Sequence, residues 1–252
     1  VSNVVGSNIF NLMVVLGVCA VITELKVSKD VLKRDYPFSV LCAILLLVAG
    51  VIGMTLGRMD GIIFLVIFAI FIFYLIKSAL DARKSGEISE KEREMNEEME
   101  EMEDLPVWKC ILYIIGGAIA IKYGGDWVVD SASVIATSFG IIATLVGLTI
   151  CSVGTSLPEL VTSIVAARKN ELDMAVGNVV GSNVFNILMV LGIAATVSPI
   201  AFLTENIIDI VVLLVFSLIT WVLCVTQKKL SKKEGILMLT LYVIYLVYIC
   251  VR

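Results

Sequence analysis

The 252-residue chain contains no histidine. That removes the commonest proton shuttle and transition-metal ligand. Its six cysteines (Cys19, Cys42, Cys110, Cys151, Cys224 and Cys250) form no CxxC pair. All lie in or at the ends of apolar runs, where they read as small hydrophobes rather than as disulfides or metal ligands. Neither a basic stretch nor a start Met precedes the first apolar run, so no cleaved leader is read there. Charged residues are scarce at 17%, and most fall between the apolar runs. Any ion this chain binds must be held by oxygen, from carboxylate, amide, hydroxyl or main-chain carbonyl, and such ligands suit hard cations like Ca²⁺.

Apolar length is what the chain has in excess. Hydrophobic residues make up 59% and mean hydropathy is +1.01, against roughly 45–50% apolar residues in a soluble domain. Runs of about 20 apolar residues cross the hydrocarbon core of a bilayer. Eight spans are expected: Val4–Ile22, Phe38–Leu56, Gly61–Leu80, Val107–Ser138, Ile141–Ala167, Met174–Val197, Ile207–Val225 and Gly235–Val251. The fourth is long for one straight helix, so a tilt or a break near Gly124-Gly125 is expected. Alternate loops carry sixteen Lys and Arg on one side and two, Arg58 and Arg252, on the other, with Lys122 inside a span. By the positive-inside rule the basic side is cytoplasmic and the C-terminus is outside. Residues 81–106 read as an acidic, solvated cytoplasmic linker with a Ser89/Glu92 capping box; it lacks the D-x-D-x-D-G loop of an EF-hand. It divides the chain into a three-span unit, 1–80, and a five-span unit, 107–252.

The chain also repeats itself. Val1–Gly17 reads VSNVVGSNIFNLMVVLG and Val176–Gly192 reads VGNVVGSNVFNILMVLG, with twelve of seventeen positions identical at one offset. Five spans separate the starts of the two copies, so they cross the membrane in opposite directions. Inverted repeats of this kind are typical of secondary transporters, whose ion sites lie near the midplane where the repeats meet.

Two polar constellations lie within the spans. In Gly154-Thr155-Ser156-Leu157-Pro158-Glu159, Pro158 lacks an N–H and clashes with the Gly154 carbonyl, so the helix should kink or break and free carbonyls around Ser152–Gly154. Thr155 and Ser156 add hydroxyls one turn before Glu159, the only acid between Ser131 and Asn170. A charge at bilayer depth costs about 2.5–3.5 kcal/mol on insertion scales, so such an acid usually marks function; the competing reading is a protonated Glu bonded between helices. The second constellation is the repeated N-x-x-G-S-N-x-x-N. Asn178, Ser182 and Asn186 share one helix face, as do Asn3, Ser7 and Asn11 in the first copy. Gly177 and Gly181 form a GxxxG that admits a close neighbour. The alternative is that these Asn and Ser only bond helix to helix. Asn8 and Asn183 lie off the face and read as packing or supporting groups.

GTSLPE followed by GNVVGSNVFN resembles the second alpha repeat of the Ca²⁺/cation antiporter superfamily, in its sodium/calcium exchanger branch. VSNVVGSNIFN resembles the second half of the first alpha repeat. The resemblance implies an all-α polytopic fold of two inverted repeats of five helices. About eight of the ten are expected here, as helices three to ten, with the first helix pair and a first GTSLPE-type motif before Val1. It implies that Glu159 is the principal Ca²⁺ and Na⁺ ligand. Thr155, Ser156, Ser7 and Ser182 would add oxygens, mainly for Na⁺, with Asn11 and Asn186 beside the central site and a main-chain carbonyl near Ser152. Potassium-dependent relatives typically carry Asp where this chain has Asn186, which argues against K⁺ co-transport. No cofactor and no nucleic-acid partner are implied; Ca²⁺ and Na⁺ are cargo, and the lipid bilayer of the plasma membrane is the setting. The mechanism implied is alternating access, with Ca²⁺ and Na⁺ excluding each other from one site and Val107–Ser138 as a moving element. A Ca²⁺/H⁺ exchanger in which the unloaded Glu159 takes up a proton is the alternative, followed by a passive cation channel. An intramembrane protease is set aside: there is no HExxH and no G-x-S-x-G.

Overall fold

The computed structural model describes residues 1–27, 31–84, 106–138, 152–169, 172–227 and 229–251. Its helices are α1 (Ser2–Ile22), α2 (Val31–Val51), α3 (Arg58–Lys84), α4 (Val107–Ser138), α5 (Ser152–Thr155), α6 (Leu157–Arg168), α7 (residues 172–197), α8 (Thr204–Gln227) and α9 (Lys232–Val251). All but α5 and α6 are long and apolar enough to cross a membrane. The protein is therefore an all-α polytopic membrane protein. The span expected at Ile141–Ala167 begins on residues that lie outside the described ones; its second half forms α5 and α6.

Local chemistry moves some boundaries. Helix α2 starts at Val31, ahead of the apolar run, and takes in Arg34 and Asp35 as a pair, Nε to Oδ1 at 2.6 Å and Nη2 to Oδ2 at 3.2 Å. Helix α3 continues through residues 81–84, where the linker was expected to begin; the linker's remaining residues up to 105, Ser89 and Glu92 included, lie outside the described residues. Helix α4 is unbroken at Gly124-Gly125. Its 32 residues make it roughly 48 Å long at about 1.5 Å per residue, so it exceeds the hydrocarbon thickness as one continuous rod.

The repeat seen in seventeen residues extends through the architecture. Four two-residue strands follow or precede the helices: β1 (Leu25–Lys26), β2 (Thr55–Leu56), β3 (Ile200–Ala201) and β4 (Lys229–Leu230). Strand β1 pairs antiparallel with β4, Leu25 opposite Leu230 and Lys26 opposite Lys229. Strand β2 pairs with β3, Thr55 opposite Ala201 and Leu56 opposite Ile200. Exchanging the two repeats turns one pair into the other. Because β1 and β2 flank α2, the pairs sit at opposite ends of the bundle, and the Lys-rich loops meet at one end.

Lipid is as apolar as leucine, so helices in a bilayer are joined by close packing and polar bonds rather than by the hydrophobic effect. Both joints here repeat. At Gly61 on α3 a Cβ would stand 2.6 Å from the Gly192 carbonyl of α7; at Gly235 on α9 it would stand 2.7 Å from the Gly17 carbonyl of α1. Each unit thus sends its last helix across to the other unit's motif-bearing helix, α7 or α1. The central helix α1 buries Val5, Ile9, Met13 and Leu16 completely, while α3 turns Ile62, Val66, Ile70 and Phe73 outward.

Candidate cation site

The site forms where α1 and α7, the two copies of the motif, pass the break between α5 and α6. Ser156 adopts φ −102°, ψ 2°, which ends α5, and Pro158 sits in the first turn of α6, where its missing N–H is tolerated. The break expected at Pro158 is present. Ser156 and Glu159 have the S-x-x-E spacing of a capping box, yet Ser156 makes no side-chain cap bond. Its Oγ instead meets Ser7 Oγ of α1 at 2.6 Å. Glu159 Oε1 accepts from Ser182 Oγ of α7 at 2.9 Å. Both side chains forgo local capping and face the helices of the repeat.

The amides complete the cluster with mirrored bonds. Asn11 Nδ2 donates to Ser182 Oγ at 3.4 Å and to Asn183 Oδ1 at 3.3 Å. Asn186 Nδ2 donates to Ser7 Oγ at 3.3 Å and to Asn8 Oδ1 at 3.1 Å. Asn8 Nδ2 reaches the Asn183 main-chain carbonyl at 3.2 Å, and Asn183 Nδ2 reaches the Asn8 carbonyl at 3.3 Å. Ser7, Asn8, Asn11, Ser156 and Asn183 are all buried. The main chain marks the same place: π-helical turns begin at Asn11 and at Asn186, one in each repeat. Such turns inside α-helices are frequent at functional sites.

Two acceptors in this cluster are left over. Asn11 Oδ1 and Glu159 Oε2 are buried and have no hydrogen-bond partner among the described residues. Leaving a buried acceptor unsatisfied costs about 1–3 kcal/mol, and more for a charged one. Both side chains bond the same Ser182 hydroxyl. A buried carboxylate oxygen and a buried amide oxygen, left without donors on two side chains that share one hydroxyl, suit a hard cation. Among the described residues no three His, Cys, Asp or Glu side chains converge, so any ion here would be held largely by neutral dipoles around one acid.

Of the residues marked from sequence, Glu159, Ser156, Ser7, Ser182, Asn11 and Asn186 come together. Thr155 is exposed and lines a cleft of about 420 Å³ shared with Lys122, Gly125 and Asp126 of α4 and with Pro158. Ser152 opens α5, and its side chain lies outside the described residues. Asn178 joins helices instead: its Nδ2 is shared among Thr162 Oγ1 and Ser163 Oγ, each at 3.0 Å, and the Glu159 carbonyl at 3.4 Å. Asn8 and Asn183, set aside as supporting groups, stand at the centre. Their identity in both copies of GSN was the available signal.

Residues 1–77 and 109–251 match the family described as sodium/calcium exchanger protein. The chain is 33% identical to the inner membrane protein YrbG of Escherichia coli (strain K12), over 88% of this chain and 68% of that protein. It is 28% identical to the sodium/calcium exchanger MaX1 of Methanosarcina acetivorans, over 98% of this chain and 79% of that one. Among solved structures, the sodium-calcium exchanger NCX_Mj soaked with 2.5 mM Na⁺ and 0.1 mM Ca²⁺ superposes with a TM-score of 0.74 at 30% identity, covering 97% of this chain and 74% of that chain.

Proposed function

The chain belongs to the sodium/calcium exchanger protein family, and from that membership we propose that it is a secondary antiporter moving Na⁺ against Ca²⁺ by alternating access at the Glu159 cluster. The observation that carries this reading is the pair of buried, partnerless oxygens, Glu159 Oε2 and Asn11 Oδ1, where two oppositely oriented repeats meet. Glu159 is the principal ligand. Ser7, Ser156 and Ser182 supply hydroxyl oxygens, the Ser152 carbonyl adds to them from the helix break, and Asn11 and Asn186 supply amide oxygens, while Thr155 faces the cleft toward α4. Ca²⁺ takes six to eight oxygens at about 2.3–2.6 Å. Na⁺ carries half the charge, so more of it is needed to neutralise the same acids. The two ions therefore compete for one set of ligands, and that exclusion couples their gradients.

Charge balance extends the reading. One carboxylate leaves a divalent cation half neutralised, which supports a second acid on a helix pair preceding Val1; the chain spans 68–79% of the relatives named above. Helix α4 is the moving element against a core of α1 to α3 and α7 to α9. It packs against α5 and α6 and leaves most of its flanks exposed. The Lys-rich end, where β1 meets β4, faces the cytoplasm of a plasma membrane, with the linker 81–106 on that side and the C-terminus outside.

The test is ⁴⁵Ca²⁺ uptake into vesicles that carry an outward Na⁺ gradient or a pH gradient. Uptake driven by Na⁺ and saturating with Ca²⁺ is expected. Uptake driven by the proton gradient alone would replace sodium coupling with proton coupling, and unsaturable flux without countertransport would make the protein a channel.

A further inference from the structure

We propose that Asn8 and Asn183 are positioning residues that decide which end of each site amide faces the cation. The proposal rests on the exchange reading above, because it concerns the same ligands.

An asparagine amide has a donor end and an acceptor end of nearly equal shape, and only the acceptor end can bind a cation. Something must therefore hold Asn11 and Asn186 with oxygen toward the ion. The serine hydroxyls beside them cannot do so, since a hydroxyl both donates and accepts and would satisfy either end. A main-chain carbonyl only accepts. The Asn183 carbonyl faces Asn8 at 3.2 Å, so Asn8 must offer Nδ2 to it. Asn8 then presents Oδ1 at its other side, again acceptor only. Asn186 meets that oxygen at 3.1 Å and must offer its own Nδ2, which turns its Oδ1 to the far side.

The second repeat runs the same sequence in mirror. The Asn8 carbonyl takes Asn183 Nδ2 at 3.3 Å, and Asn183 Oδ1 takes Asn11 Nδ2 at 3.3 Å. The end of that chain is observed directly: Asn11 Oδ1 is buried with no partner among the described residues. Polarity thus passes from a helical carbonyl, which cannot turn over, through one buried amide to the ligand amide. For each site asparagine the anchoring carbonyl lies on its own helix and the relaying amide on the other repeat's, so the two chains cross between α1 and α7.

The test is equilibrium ⁴⁵Ca²⁺ binding to the purified full chain with Asn8→Leu, Asn8→Asp, Asn186→Ala and the Asn8→Leu/Asn186→Ala double variant. Asn8→Leu removes the acceptor that orients Asn186 and should weaken binding roughly 10–100-fold, the range for groups that orient metal ligands. Asn8→Asp keeps that acceptor, so it should bind far more tightly than Asn8→Leu even though a buried charge lowers its thermal stability. A residue that only packs would move stability and affinity together. In the Asn186→Ala background Asn8→Leu should add almost nothing, because the group it orients is gone. Equal weakening by Leu and Asp, or full additivity in the double variant, would overturn the proposal. Asn183→Leu with Asn11→Ala gives the mirror test and serves if Asn8→Leu does not fold. A wild-type chain that binds no Ca²⁺ overturns the exchange reading and this proposal together, whereas tight wild-type binding with additive variants overturns this proposal alone.

Discussion

Replacing Glu159 by Gln should leave the fold intact and remove most of the response to calcium. Gln keeps an oxygen to accept the Ser182 hydroxyl, which now bonds Oε1 at 2.9 Å. A hydrogen bond to a charged group is worth about 1.5–3 kcal/mol and a neutral one about 1, so that contact weakens by roughly 1 kcal/mol. Against this, Gln removes a charge whose second oxygen is buried and unpartnered, a defect of about 1–3 kcal/mol or more. The empty Gln variant should therefore be as stable as the wild type or slightly more so. Calcium binding behaves oppositely. A divalent ion about 2.4 Å from a unit negative charge is attracted by roughly 14 kcal/mol at an effective dielectric constant of about 20. If only a fifth of that survives desolvation, the loss is near 3 kcal/mol, a weakening of about a hundredfold. The assay is thermal unfolding with and without Ca²⁺, followed by the fluorescence of Trp108, Trp127 and Trp221. At about 100 times the wild-type Kd, Ca²⁺ should stabilise the wild type by about 2.7 kcal/mol and Glu159→Gln by only about 0.4 kcal/mol. An equal calcium-induced rise in both proteins would refute Glu159 as a ligand.

Other perturbations probe the frame and the selectivity. Gly61→Ala and Gly235→Ala each drive a Cβ toward a main-chain carbonyl at 2.6 and 2.7 Å, so each should cost about 1–3 kcal/mol in thermal unfolding. Gly116→Ala, where nothing stands within 4 Å, should be neutral or stabilising by up to about 1 kcal/mol, and the same loss there would remove the close-approach argument. Asn186→Asp places a carboxylate against Asn8 Oδ1, now 3.1 Å from the amide nitrogen. It should tighten divalent binding or introduce K⁺ sensitivity while lowering the stability of the empty protein, and unchanged ion selectivity would count against Asn186 lining the site. Cysteines placed at Gly57 and Lys232 should react with an impermeant thiol reagent from opposite faces of right-side-out vesicles, Gly57 from outside. Labelling of both from one face would overturn the topology.

Much of this was legible in one dimension. Hydropathy is a property of a window, so the spans could be read off wherever the apolar run set the helix length. That reading slipped where α2 took in Arg34 and Asp35 and where α3 ran past Leu80, because there the helix continued through charged residues that a hydropathy window excludes. The break before Glu159 was equally local, since Pro158 removes a main-chain donor whatever surrounds it. Identity at one constant offset disclosed the repeat. The eight polar letters Asn3, Ser7, Asn8, Asn11, Asn178, Ser182, Asn183 and Asn186 were likewise visible, but not their separate duties.

Sequence alone thus determined that the chain crosses a membrane many times, in two opposed halves, with one acid at a broken turn. Tertiary structure decided the rest. It sent Ser156 and Glu159 across to Ser7 and Ser182 instead of into a local cap, made Asn178 a clamp between helices and raised Asn8 and Asn183 to the centre. The reason is that a hydroxyl or an amide takes its meaning from its partner. Whether it donates or accepts is set by a group 149 or 175 positions away, and no local window contains both.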